Sequence, residues 1–198
     1  MPSRKPQKSV RDRLFQFALH AFASHGYAEV SVDEIVRAAR TTKPMLYYYF
    51  QSKAGLYAAV AEEAFGRLRA GYGPASNPAL APIERLRAFV RADFANMRES
   101  PDLARFIYRT AYAAPRDAPE IDYWSLFLPS FSSVIQIIEA AQAAGLVRPA
   151  PPPELALGLF GLIGVRAQVH LAGPMGSLLS DDAADGLVDL FLNGVALR

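Results

Sequence analysis

Tyr47, Tyr48 and Tyr49 follow one another directly, with Lys43 ahead of them and Lys53 behind. Successive residues of a helix point about 100° apart, so one core cannot bury three consecutive tyrosines. Their hydroxyls and the two ammonium groups are hydrogen-bond donors suited to phosphate oxygens and base edges. The chain offers no competing chemistry. His20, His25 and His170 lack the spacing of metal ligands, and there is no HExxH, GxxxxGKS, GxSxG or strand-linked GxGxxG pattern. The absence of cysteine excludes disulfides, thiolate metal sites and cysteine nucleophiles. No catalytic residue, metal or cofactor is therefore assigned.

Such side chains need a scaffold that turns them outward. Residues 31–53, SVDEIVRAARTTKPMLYYYFQSK, read as two short helices joined by a tight turn. The Ser31 hydroxyl can cap the first, with Glu34 completing a reciprocal capping box. Ile35, Ala38 and Ala39 form its small apolar face, and Arg40, Thr41 and Thr42 make the turn. Thr42 can cap the second helix, and Pro44 suits its first turn. Leu46 and Phe50, four apart, point inward, which leaves Lys43, Met45, Tyr47 and Tyr48 more exposed. Ahead of the stretch, Val10, Leu14, Phe17, Ala18, Ala21 and Phe22 repeat at helical spacing, and Gly26 ends that supporting helix. Tyr27 is expected to fold back on this small domain. Residues 1–8 are basic and proline-rich and read as a flexible arm.

The remainder reads as helices throughout, with no strand signal and no internal repeat. Ser52 caps a helix over about 53–70, and a connector rich in Gly and Pro follows. Further helices are expected over about 82–98, 101–112, 120–144, 154–171 and 181–196, with Pro129 inside the long one. The class is all-α: a three-helix helix-turn-helix domain at residues 1–52 and a ligand-binding and dimerisation domain at 53–198, about nine helices in all. Helix 154–171 is apolar almost all round, which implies burial on every side and so a second subunit. Leu159, Leu162, Ile163, Leu187, Leu190, Phe191 and Gly194 are the expected dimer contacts. Phe94, Met97, Phe106, Tyr112, Tyr123, Trp124, Phe127 and Phe131 supply more aromatic and apolar surface than a spacer needs. With Arg166 the only charge inside a very apolar helix, and Gln168 near it, they suggest a pocket for a flat or hydrophobic ligand.

The net charge of +2 conceals an asymmetry. Residues 1–55 hold nine of the basic and four of the acidic side chains, including every lysine, so the excess of positive charge lies in the first part. That balance suggests a polyanionic partner for the first part alone. The apolar run from Leu155 to Val165 is interrupted by Arg166, short of the ~18 residues of a membrane span. No membrane association and a cytoplasmic location are expected.

The segment SVDEIVRAARTTKPMLYYYFQSKAGLYAAV, after a helix ending in FASHGY, resembles the TetR family of transcriptional repressors. The family pattern is a T/S-hydrophobic-x-x-I-A start, an A-G-V-S turn and L-Y-Y-H-F-x-S-K-E, and the likeness covers about residues 9–60. Arg40 stands where the family usually has glycine; if that position needs a positive φ, the arginine costs about 1 kcal/mol. Ala54 and Gly55 replace the usual pair of glutamates. The resemblance implies that Ser31, Thr42, Tyr47 and Lys53 hold phosphates, while Lys43, Pro44, Met45 and Tyr48 or Tyr49 face base edges. It also implies double-stranded operator DNA as partner, an inducer pocket in the body, and a homodimer built on the last two helices. The alternative is a small-molecule carrier or enzyme whose N-terminus is helix-turn-helix-like by coincidence. A mobility shift with DNA from upstream of its own gene separates the two.

Overall fold

The computed structural model describes residues 9–113, 118–173 and 178–195. Among these, nine α-helices and one 3-10 turn account for the regular structure, with no strand: α1 (Val10–His25), α2 (Val32–Ala38), α3 (Lys43–Phe50), α4 (Lys53–Gly71), the 3-10 turn Gly73–Ser76, α5 (Pro82–Glu99), α6 (Pro101–Ala113), α7 (Tyr123–Ala143), α8 (Pro152–Ala172) and α9 (Asp181–Val195). The expected all-α architecture is borne out. The arm at residues 1–8 lies outside the described residues.

Two compact units are present: Met1–Ala64 with Asp102–Ile121, and Phe65–Pro101 with Asp122–Arg198. The sequence expectation divided the chain at residue 52. The structure instead groups α6 and the first part of α4 with the N-terminal helices.

In the first unit, α1 begins at a reciprocal capping box. The Asp12 N–H donates to the Ser9 hydroxyl at 3.1 Å, and the Ser9 N–H donates to Asp12 at 3.2 Å. The Ser31 cap holds only in one direction, accepting from the Glu34 N–H at 3.1 Å. Leu14, Phe22, Ile35, Leu46 and Leu56 close the core where α1 meets α2 and α3. Tyr27 folds back as expected, its ring 5.9 Å from Phe22 and 5.1 Å from Tyr57. The Arg109 guanidinium of α6 donates to the carbonyls of Ser24 and His25, partnering the free end of α1.

Arg40 does adopt a positive φ, 50°. Its N–H donates to Arg37 and the Thr41 N–H to Val36, the paired bonds of a Schellman helix end. The same two bonds close α7, where Gly145 holds the equivalent position at φ 69°. Arg40→Gly should therefore stabilise the fold by up to about 1 kcal/mol, the relief of left-handed strain less the added freedom of the unfolded chain. Urea unfolding measures it, and a net loss would mean that the arginine side chain carries a stabilising contact.

Ser52 caps α4, accepting from the Gly55 N–H at 2.9 Å. Gly55 has a positive reason to be there: a β-carbon would collide with the Phe50 carbonyl oxygen. Losing the helix-start glutamates is thus offset by close passage of the chain.

In the second unit, α5 packs on α7, α8 and α9 through Leu86, Phe89, Val90, Phe94 and Met97. Its polar face is tied to α9 by ion pairs: Arg87 to Asp189 at 2.7 Å, Arg91 to Asp185 at 2.5 Å and Arg98 to Asp181 at 3.2 Å. Ser180 caps α9 through the Ala183 N–H. α7 and α8 are each long and apolar enough, by length and composition, to cross a bilayer, with mean hydropathies of 1.2 and 1.5. That departs from the expectation drawn from uninterrupted runs, because an average over the helix tolerates Arg166. In the structure the two helices pack on each other and on α5.

Candidate functional site

The outer face of α3 presents what the sequence places there. Leu46 and Phe50 pin the helix from below, while Tyr47, Tyr48 and Tyr49 are exposed, Tyr48 by 77%. Lys43 and Pro44 are also exposed and Met45 is half-buried. Among the described residues the three phenolic hydroxyls have no protein partner. Tyr48 and Tyr49 meet edge to face at 5.0 Å, which stiffens both rings. Thr42 sits at the cap position of α3, yet its hydroxyl makes no cap hydrogen bond, so its O–H can serve a ligand. Ser31 accepts from Glu34 but keeps its own O–H to donate.

The two lysines are less free than the sequence suggests. Lys43 Nζ lies 2.9 Å from Asp33 Oδ1. The hydrogen bond that Lys43 donates to Asp33, then the charge of Asp33, raises the lysine pKa, so the ammonium is fully charged at neutral pH. Lys53 Nζ sits over the Tyr27 ring, 4.1 Å from its centroid, and partial burial lowers its pKa. Arg11 lies 5.6 Å from the centroid of Phe50, which brings a third cation to the base of α3. Sequence reading missed Asp33 as a partner of Lys43 because it registered only as an acid in the first turn of α2. Sequence separation hides the pair, and only the helix-turn-helix brings it together.

The second unit disperses part of the expected ligand set. Trp124, Phe127 and Phe131 of α7 meet Phe160 of α8 in one cluster, with ring centroids 4.8 to 6.0 Å apart along Trp124–Phe127, Trp124–Phe131, Phe127–Phe160 and Phe131–Phe160. Phe160 continues to Phe89 at 5.7 Å, and Phe89 stacks on Tyr72 at 4.1 Å. Tyr123 contacts Phe65, and Phe94 and Met97 are buried in the α5 core. Phe106 belongs to the first unit, where it packs 5.1 Å from Tyr57. Arg166 donates to the Ala183 carbonyl at 2.7 Å, at the start of α9, and Gln168 is exposed. The Tyr112 side chain lies outside the described residues. Sequence reading missed Phe160, Phe89 and Tyr72.

The expected dimer residues also divide. Leu159, Ile163, Leu187 and Phe191 are buried within the protomer, and Leu162 is half-buried. Leu190 and Gly194 are exposed. The outward apolar positions of α8 are instead Leu157, Gly158, Gly161, Val165 and Val169.

Residues 14–60 match the family described as bacterial regulatory proteins, tetR family. That stretch carries an N-terminal domain of the tetR family. Proteins similar to this chain include the HTH-type transcriptional activator FasR of Mycolicibacterium smegmatis, 32% identical over 60% of this chain and 55% of that protein. The HTH-type transcriptional repressor SCO4008 of Streptomyces coelicolor is 36% identical over 32% of each chain. The chain thus spans about half, or a third, of the length of these relatives. The fold is shared along its whole length with the ketosteroid transcriptional regulator KstR2 of Mycobacterium tuberculosis, TM-score 0.78, 18% identity, 97% of each chain covered. It is shared too with the fatty acid degradation regulator FadR from Bacillus halodurans, TM-score 0.78, 17% identity, covering 98% of this chain and 100% of that one. Within the tetR family match lie α2, α3 and all of the exposed residues from Ser31 to Lys53.

Proposed function

We propose that this chain is a homodimeric, DNA-binding transcriptional regulator, a repressor released from a palindromic operator by a small hydrophobic inducer. The observation that carries the DNA-binding reading is the face of α3: three tyrosines and Lys43 turned outward on a helix fixed from behind by Leu46 and Phe50. A second helix of this kind enters the major groove with its N-terminal residues first. Lys43, Pro44, Met45 and Tyr48 or Tyr49 then face base edges, and Ser31, Thr42, Tyr47 and Lys53 hold phosphates. A DNA partner places the protein in the cytoplasm.

The inducer reading rests on the aromatic chain from Trp124 to Tyr72, an apolar wall inside the second unit. Names such as ketosteroid regulator and fatty acid degradation regulator, borne by proteins of the same fold, accord with an apolar effector. An inducer releases DNA only through its differential affinity for two states, about 10⁴-fold to move a 1:99 balance to 99:1. Activation is the second reading, since FasR is named an activator; reporter expression with the gene deleted separates the two.

The test of DNA contact is a mobility shift across a salt series, because phosphate contacts make affinity fall steeply with salt. Lys43→Ala should lose about 1–3 kcal/mol of preference for operator over mismatched sites. Tyr47→Phe and Lys53→Ala should weaken all sequences alike. If Lys43→Ala leaves the ranking of sites unchanged, Lys43 clamps a phosphate and reads no base.

A further inference from the structure

The cations that border α3 rest on two kinds of protein group. Lys53 lies over the Tyr27 ring and Arg11 beside the Phe50 ring, 4.1 and 5.6 Å from the centroids. An aromatic face attracts a cation but has no net charge, so both keep their full charge for a phosphate. Lys43 rests on a carboxylate instead, with Nζ 2.9 Å from Asp33 Oδ1. That pair is neutral as a unit and pulls only weakly on a distant phosphate.

Both partners stand on the outer surface of the helix-turn-helix. Asp33 lies in the first turn of α2, and Lys43 opens α3. The two side chains keep 61% and 48% of their surface exposed. An exposed pair of this kind adds little to stability, because water screens it and the side chains lose freedom. Its value lies in geometry. Lysine carries a point charge on a flexible four-carbon stem, and one hydrogen bond restricts where that charge can stand. One N–H of the ammonium goes to Asp33, which leaves two. Guanine presents two acceptors, O6 and N7, to the major groove. To reach a phosphate instead, Lys43 must leave Asp33, whose carboxylate then stands unpaired beside the polyanion.

We propose that Asp33 is a positioning residue for DNA recognition: it holds Lys43 toward base edges, withholds it from phosphates, and so sets the ratio of specific to non-specific affinity. Keeping a charge from the wrong partner gains specificity without gaining affinity. The proposal rests on the DNA-binding reading above and names what makes that binding selective.

The experiment uses the full chain and two duplexes: the sequence that the parent protein enriches from a random pool, and a scrambled duplex of the same composition. Fluorescence anisotropy gives both affinities across a salt series. Asp33→Asn should lower their ratio about fivefold, mostly by tighter binding to the scrambled duplex. On that duplex the log–log salt slope should steepen by about 0.9, the value of one added phosphate contact. In a Lys43→Ala background the same change should leave the ratio unmoved, because Asp33 acts through the lysine. Asp33→Glu keeps the carboxylate and should retain most of the ratio. A merely distorted α2 would weaken binding to both duplexes and steepen neither slope, and that result overturns the proposal. So does an unchanged ratio for Asp33→Asn, or an equal fall with and without Lys43. A parent protein that binds DNA but enriches no sequence overturns it too. If the parent binds no duplex at any salt, the DNA-binding reading falls and takes this proposal with it. If the parent binds selectively and Asp33→Asn changes nothing, this proposal alone falls.

Discussion

At pH 8, Asp93→Asn is expected to melt several degrees above the parent protein, and below pH 4 the difference should vanish. Asp93 is 4% exposed on the inner face of α5, and it accepts a hydrogen bond from the Tyr72 hydroxyl at 2.7 Å. Burial pushes its carboxyl from 3.8 up to about 6, with the Tyr72 bond pulling the other way. The folded-state pKa is thus above the unfolded one, so the folded form binds the proton more tightly. Ionisation then works against folding: the penalty is nil below the unfolded value, grows between about 4 and 6, and is full above that. A shift of this size corresponds to roughly 3 kcal/mol at most. Asparagine keeps the oxygen that accepts from Tyr72 and removes the charge. Melting curves from pH 4 to 8 measure the effect. A gain independent of pH, or a loss at pH 8, would show that the carboxylate is not held in an apolar site. Asp185 works in the opposite sense. The hydrogen bond from Arg91 lowers its pKa, so its contribution is present above the unfolded value and lost as pH falls through the folded one.

Local features were readable in the sequence and long-range ones were not. α3 was legible because everything that orients it lies within a few residues: the Pro44 start, the four-residue interval from Leu46 to Phe50, and tyrosines that no core can absorb together. The positive φ at Arg40 was raised only by the glycine that the family usually has there, since an arginine gives no local sign of it. α8 was not legible. Nearly every position is apolar, so spacing gives no direction; the core takes Leu155, Leu159, Ile163 and Ala167, and only the placement of α5, α7 and α9 decides it. Phe106 read as part of the body because it follows α5, while its partner Tyr57 lies far back in the chain. Arg166, a lone charge in an apolar helix, looked like a ligand anchor and proved to hold the start of α9.

Val165→Glu is expected to give a folded monomer whose operator affinity is lower by about 10²- to 10⁴-fold, the loss that follows when two linked half-site contacts become one. Val165 is 65% exposed on the protomer, within a row of Leu157, Gly158, Gly161 and Val169, and beside it α9 turns out Gly186, Leu190 and Gly194. A β-carbon at Gly158, Gly161, Gly186 or Gly194 would meet nothing within 4 Å, so none of the described residues covers these positions. Small residues allow another pair of helices to approach closely, and the flanking Leu157 and Leu190 supply apolar area to bury. The proposed partner is a second copy, placing the two recognition helices on half-sites related by a two-fold axis. A glutamate at the centre of that contact would be a buried charge without a partner, typically 3–5 kcal/mol unfavourable. Phe191, one of the dimer contacts expected from the sequence, makes a poorer test: at 6% exposure it belongs to the protomer core, and a charge there would unfold the chain before it split a dimer. Sedimentation and far-ultraviolet circular dichroism, run together, separate the two effects. A wild-type monomer at micromolar concentration, or a Val165→Glu protein that stays dimeric with unchanged helix content, would remove α8 and α9 from the dimer interface.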